Sequence, residues 1–294
     1  MSLDWLTWSN PVAIWWGFLI TVSAANIVLW FQLRAILGRS GSVPAEPLVL
    51  LSAAYVFGCA FRSILPRADV QRICLFDTWL SSVLVGRSVA TLAELCFAVQ
   101  WAIVLRELAK VTRSDTANNI AKLIVPLVAV AECCSWYAVI TTDFLGNVLE
   151  NSLWTVTFIL IAVALMRVVI SFRGIARWAI AAAAAGVAGY VVFMSSVDVP
   201  MYAARWQEEL TQGRPVLGLV AGLHDVATRW VVTHDLADWH NEIPWMSLYF
   251  SVAVWTSLLL GGFSLVRGHL PRYRVRWPLV RRARRPLAIP VRTS

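Results

Sequence analysis

Residues 79–110 read WLSSVLVGRSVATLAELCFAVQWAIVLRELAK, and this stretch decides the fold. It is apolar over a length that crosses a bilayer as a helix. It also carries Arg87, Thr91, Glu94, Ala98 and Trp101 at steps of four and three, so all five fall on one helical face. A charged pair in a membrane span turns toward protein rather than lipid. The stretch is therefore one helix of a bundle, with its polar face toward the bundle interior.

Composition agrees. The 294 residues are 59% hydrophobic and only 14% charged, too apolar for a water-soluble domain of this length. Sixteen tryptophans are present, and Trp5, Trp8, Trp15, Trp16, Trp79, Trp178, Trp245 and Trp277 sit near the edges of apolar stretches, where an amphipathic ring prefers the headgroup level. The net charge of +8 does not point to nucleic acid. Arg267, Arg272, Arg274, Arg276, Arg281, Arg282, Arg284, Arg285 and Arg292 follow the last apolar stretch, where a basic tail marks topology and contacts anionic lipid. Cys59, Cys74, Cys96, Cys133 and Cys134 follow no disulfide or zinc spacing and read as small core residues.

The expected fold is an all-α polytopic bundle of about seven transmembrane helices. The spans are 11–37, 48–65, 79–109, 120–142, 147–172, 175–194 and 245–266, the first being an uncleaved helix. The segment 195–244 lies outside the membrane and includes an amphipathic helix marked by Val216, Leu219, Val220, Leu223, Val226, Trp230 and Val231 at helical spacing. Residues 1–267 thus form one transmembrane domain, followed by a basic cytoplasmic tail over 268–294. In the sixth span, Ala182/Gly186 and Ala185/Gly189 place small residues four apart, a spacing that permits close helix approach.

Arginine and lysine alternate between connections. Arg34 and Arg39, then Arg106, Lys110, Arg113 and Lys122, then Arg167, Arg173 and Arg177, then the tail, all fall on one side. By the positive-inside rule the N-terminus is outside and the C-terminus cytoplasmic. The preponderance of Arg over Lys fits a bacterial inner membrane. Arg62, Arg67 and Arg72 break the rule by clustering in an outer connection.

Candidate chemistry follows from depth. Glu94 lies roughly 22 Å along its span from residue 79, near the bilayer midplane, and Glu132 reaches a similar depth in the antiparallel fourth span. Paired carboxyls in a low dielectric hold a proton and can act as acid and base, so Glu94 and Glu132 are the candidate catalytic pair. Arg87, about 10 Å outward of Glu94, joins Arg62 and Arg72 in an expected basic mouth for an anionic group. Thr91, Trp136 and Glu150 are expected to complete the ligand-binding set, Glu150 also suiting a helix N-terminus together with Asn147.

A second group, His234, Asp235, Asp238, His240 and Glu242, contains metal-type donors, with His234, Asp238 and His240 the nearest to a ligand set. The spacing fits no zinc pattern, so no metal is expected and a solvated turn is the reading. All four histidines fall outside the spans, which argues against an intramembrane bis-His haem. The seventh span has no lysine, which excludes a retinal Schiff base there.

The expected function is binding of a lipid-like or amphiphilic anionic small molecule in an outward-facing polar site, with acid/base chemistry at the glutamates. The alternatives are a proton-coupled small-molecule transporter and a structural subunit of a larger membrane complex. Expected partners are membrane lipids, the anionic amphiphile and other membrane proteins.

Overall fold

The computed structural model describes residues 4–39 and 47–263, together with Leu265. The basic tail expected over 268–294 and part of the first connection lie outside the described residues. Seven helical segments are long and apolar enough to cross a membrane, so the chain is an integral membrane protein of all-α type. They comprise α1 (Pro11–Arg39), α2 (Pro47–Ile64), α3 (Val83–Thr112), α4 (Asp115–Thr141), α5 (Leu145–Val169), α6 (Gly174–Phe193) continued by α7 (Val199–Gln212), and a composite last span. Between α7 and that span lie α8 (Leu219–Thr228) and the short α9 (Leu236–Trp239). The last span consists of α10 (Ile243–Leu248), a widened π turn (Tyr249–Ala253) and α11 (Val254–Gly261). Successive helices pack on one another, and α11 returns to close against α2 and α1.

Local chemistry sets the ends. The Ser82 hydroxyl accepts from the Val85 N–H at 3.4 Å and starts α3. Trp79–Ser81 is therefore a separate 3₁₀ turn, and the third span begins four residues later than hydropathy indicates. Arg113, left-handed at φ 55°, stops α3, and Ser114 at once caps α4. This two-residue turn makes α3 and α4 antiparallel neighbours.

The sixth span departs most from expectation. The helix does not stop at 194. A π turn (Met194–Asp198) carries it into α7, giving 39 helical residues from Gly174 to Gln212. The cause is twofold: 199–212 is polar but rich in good helix formers, and the π turn accommodates Pro200, which has no N–H to donate. At 1.5 Å per residue the segment is about 58 Å long, so its polar end projects beyond a hydrocarbon core of about 30 Å. Gly213, at φ 63°, terminates it.

The amphipathic helix expected within 195–244 is present as α8 but is shorter than the periodic apolar pattern. Its Val226 is fully buried beside Val83 and Val139, and Gly222 presses on the Ile140 carbonyl, so α8 caps the ends of α3 and α4. Val231 leaves the helix and joins a small sheet instead. In it β1 (Arg67–Ala68) pairs antiparallel with β2 (Ile73–Cys74), which pairs parallel with β3 (Val231–Val232). This end of the bundle, with the 65–82 and 213–242 connections, is called the capped end below.

Candidate functional site

Three helices bring a charged cluster together inside the bundle near its capped end. Glu94 lies about 17 Å along α3 from its start. Arg87 stands two turns before it on the same face, and the two side chains lean toward each other until Arg87 Nη2 donates to Glu94 Oε2 at 3.0 Å. The same nitrogen donates to Glu132 Oε2 of α4 at 2.6 Å and lies 3.5 Å from Glu150 Oε1 of α5. All four residues are more than nine-tenths buried. One guanidinium is thus shared by three carboxyls.

Neutral donors orient the carboxyls. The Thr91 hydroxyl donates to Glu132 Oε2 at 2.6 Å, and Trp136 Nε1 donates to Thr91 Oγ1 at 3.1 Å. Asn147 Nδ2 donates to Glu150 Oε2 at 3.1 Å. The Tyr249 hydroxyl donates to Glu94 Oε1 at 2.6 Å, so the last span enters the cluster through the first residue of its π turn. Below Tyr249 lies Tyr55, stacked on Phe97 with centroids 4.7 Å apart. Glu132 Oε1, Ser135 Oγ, Asn147 Oδ1 and Arg87 Nε are buried without a protein partner.

Six of the eight residues expected at the site converge here: Arg87, Thr91, Glu94, Glu132, Trp136 and Glu150. Arg62 and Arg72 do not. Arg62 is buried at the end of α2, 3.5 Å from Asp69 Oδ1. Arg67 binds the same carboxylate at 2.7 Å and reaches the Ser81 carbonyl. Arg72 donates to Asp225 Oδ2 at 2.8 Å and to the Val139 carbonyl at 2.6 Å. The expected open basic mouth is therefore a set of buried, internally paired arginines that fasten the capped end, and Arg87 is committed to carboxylates. The connection is short, and each guanidinium finds an oxygen within the fold before it reaches solvent.

Asp69 lies outside the spans. Burial alone would raise its pKa, but Arg62, Arg67 and Arg87 outweigh this and hold it below the usual aspartate value. Burial likewise raises the Cys74 thiol above its ordinary value.

The weak metal candidates are dispersed among local contacts. His234 Nε2 meets the Leu75 carbonyl at 2.9 Å and its ring stacks on Trp5. Asp238 accepts from Thr233, and His240 Nδ1 lies 2.7 Å from the Ala237 carbonyl. Among the described residues, the group with ligand atoms close enough for a metal is Glu94, Glu132 and Glu150, within 4.8 Å of one another. Arg87 Nη2 already stands among them where a metal cation would sit, so the guanidinium is the resident cation.

Tyr249 and Tyr55 were not anticipated from sequence. The available signal was a hydroxyl within an apolar span, away from the interface level where tyrosine usually sits. No protein-family model, curated protein or solved structure matches this chain.

Proposed function

We propose that the chain is a proton-coupled membrane carrier of a small solute, in which the Glu94, Glu132 and Glu150 carboxyls take up and release the coupling proton around Arg87. The observation that carries this is one buried guanidinium against three buried carboxyls. With all three ionised, the interior would hold uncompensated negative charge at several kcal/mol per ion. A retained proton removes that cost. The opposite imbalance at Asp69, one carboxylate between Arg62 and Arg67, offsets part of the excess, so a single proton brings the whole column to neutrality.

Helix irregularity favours a carrier over a fixed structural network. Tyr249, which binds Glu94, opens the π turn of the last span, and a second π turn follows α6. Interruptions of this kind occur where helices serve a site, and carriers build their sites from broken helices. The anionic amphiphile expected from sequence fits less well, because Arg87 has no free charge to offer it. In the orientation inferred from the arginine distribution, the capped end faces outward and the cluster lies in the outer half of the membrane.

Infrared difference spectroscopy of the purified protein between about pH 5 and 9 tests the reading. The expected result is a protonated-carboxyl band that titrates, shifts in heavy water, and is lost or displaced in Glu94→Gln. A wild-type protein with no such band, or with one that is constant at every pH, overturns proton coupling.

A further inference from the structure

The opposite end of the bundle holds a second feature, independent of the buried cluster. Where α5 turns into α6 there is a cleft of about 570 Å³. Its lining combines the apolar Met166, Val169 and Ala181 with Arg173, Arg177 and Trp178. No acidic residue lines it, and the sequence has no Asp or Glu between Glu150 and Asp198. Arg173 and Arg177 are exposed and make no ion pair or side-chain hydrogen bond among the described residues. This contrasts with the capped end, where Arg62, Arg67 and Arg72 are all buried and paired.

The surroundings are apolar. Ile170 is 74% exposed, Ile175 88% and Trp178 76%, next to the two free guanidiniums. Water-exposed isoleucines at the mouth of a soluble anion site would serve no purpose, whereas beside a membrane they meet acyl chains and Trp178 takes the headgroup level. Above the cleft, the apolar part of the span that contains α6 is 17% buried, the lowest share of the seven candidate spans. An added Cβ at Gly186 or Gly189 would meet open space, so an acyl chain has a smooth surface on which to lie.

From this charge complementarity we propose that the α5–α6 cleft binds an anionic phospholipid, with its phosphodiester between Arg173 and Arg177 and its glycerol and proximal acyl carbons on Met166, Val169 and Ala181. Basic pockets between membrane helices recognise anionic headgroups in this way. Arginine's planar fork suits a phosphodiester better than lysine's point charge.

The test is native mass spectrometry of the full chain, titrated with phosphatidylglycerol and with phosphatidylcholine of the same acyl chains. Wild type should retain phosphatidylglycerol preferentially. Arg173→Gln/Arg177→Gln should weaken that lipid by roughly fivefold per arginine and leave phosphatidylcholine unchanged. Ala181→Phe, which narrows the cleft without altering charge, should also reduce retention. Arg106→Gln/Arg113→Gln, at the end of α3, which removes the same charge from exposed arginines elsewhere, should not. Equal phosphatidylglycerol binding by wild type and both cleft variants overturns the proposal, as does loss in the α3 variant alone. Displacement of the lipid by millimolar inorganic phosphate would mark a simple anion site and also overturn it. None of these outcomes depends on the protonation of Glu94.

Discussion

Arg87 spans two turns of α3 to reach Glu94 and extends across to Glu132 and Glu150, so removing it leaves three buried carboxyls without a counter-charge. Breaking a buried pair from one side typically costs about 3–5 kcal/mol. Arg87→Met should therefore lower the unfolding free energy by about that amount, measured by denaturant titration in a fixed detergent. Adding Glu132→Gln should recover part of the loss, because the amide removes one of the stranded charges. An Arg87→Met protein as stable as wild type would mean that the carboxyls are neutral without the guanidinium. At this scale the sequence was informative: the four-and-three spacing of Arg87, Thr91 and Glu94 put them on one face, and charge inside an apolar stretch forced that face inward. Tyr249 was not legible, because the aim of its hydroxyl depends on how the last span packs against α3.

Gly146 shows why the elements meet as they do. A Cβ there would lie 2.5 Å from the Cys134 carbonyl oxygen and 2.7 Å from the Ala138 Cβ, so glycine is what allows the start of α5 to press on α4. Glu150 lies one turn further along α5 and reaches Arg87 through that approach. Gly146→Ala should destabilise by about 1–3 kcal/mol through overpacking and should reduce the titrating carboxyl signal, because it moves Glu150 away from the guanidinium. Gly186→Ala in α6, where the added methyl meets open space, should leave the melting temperature unchanged or slightly raised. A Gly146→Ala melting temperature equal to that of Gly186→Ala would show that the α4–α5 contact yields freely. Element boundaries were the weaker part of the sequence reading. Hydropathy ended the sixth span at 194 because the residues become polar there, but a helix needs only propensity and capping to continue, and this one runs to Gln212.

Across the whole molecule, the capped end is closed by Asp69, which ties Arg62 at the end of α2 to Arg67 in β1, and by Arg72, which ties the same turn to Asp225 of α8. Because Asp69 titrates below the usual aspartate value in the folded protein, its stabilising contribution is complete above the unfolded value of about 3.9. It is lost as pH falls through the lower folded value. The melting temperature should therefore drop below about pH 4, and Asp69→Asn should be less stable at neutral pH and show a shallower acid dependence. An identical acid profile in the two proteins would remove Asp69 from the account. The sequence by itself determined the membrane class, the seven spans and the inward face of α3, because hydrophobic length and helical periodicity are local properties of the chain. Tertiary structure decided which charges meet. In sequence, Arg62 at the end of the second span, Arg72 in the connection after it and Arg87 in the third span read as one basic mouth. Only packing fixes that the first two are spent on Asp69 and Asp225 while the third is held among three glutamates, because the partner of a buried charge is whichever opposite charge the folded chain brings within reach.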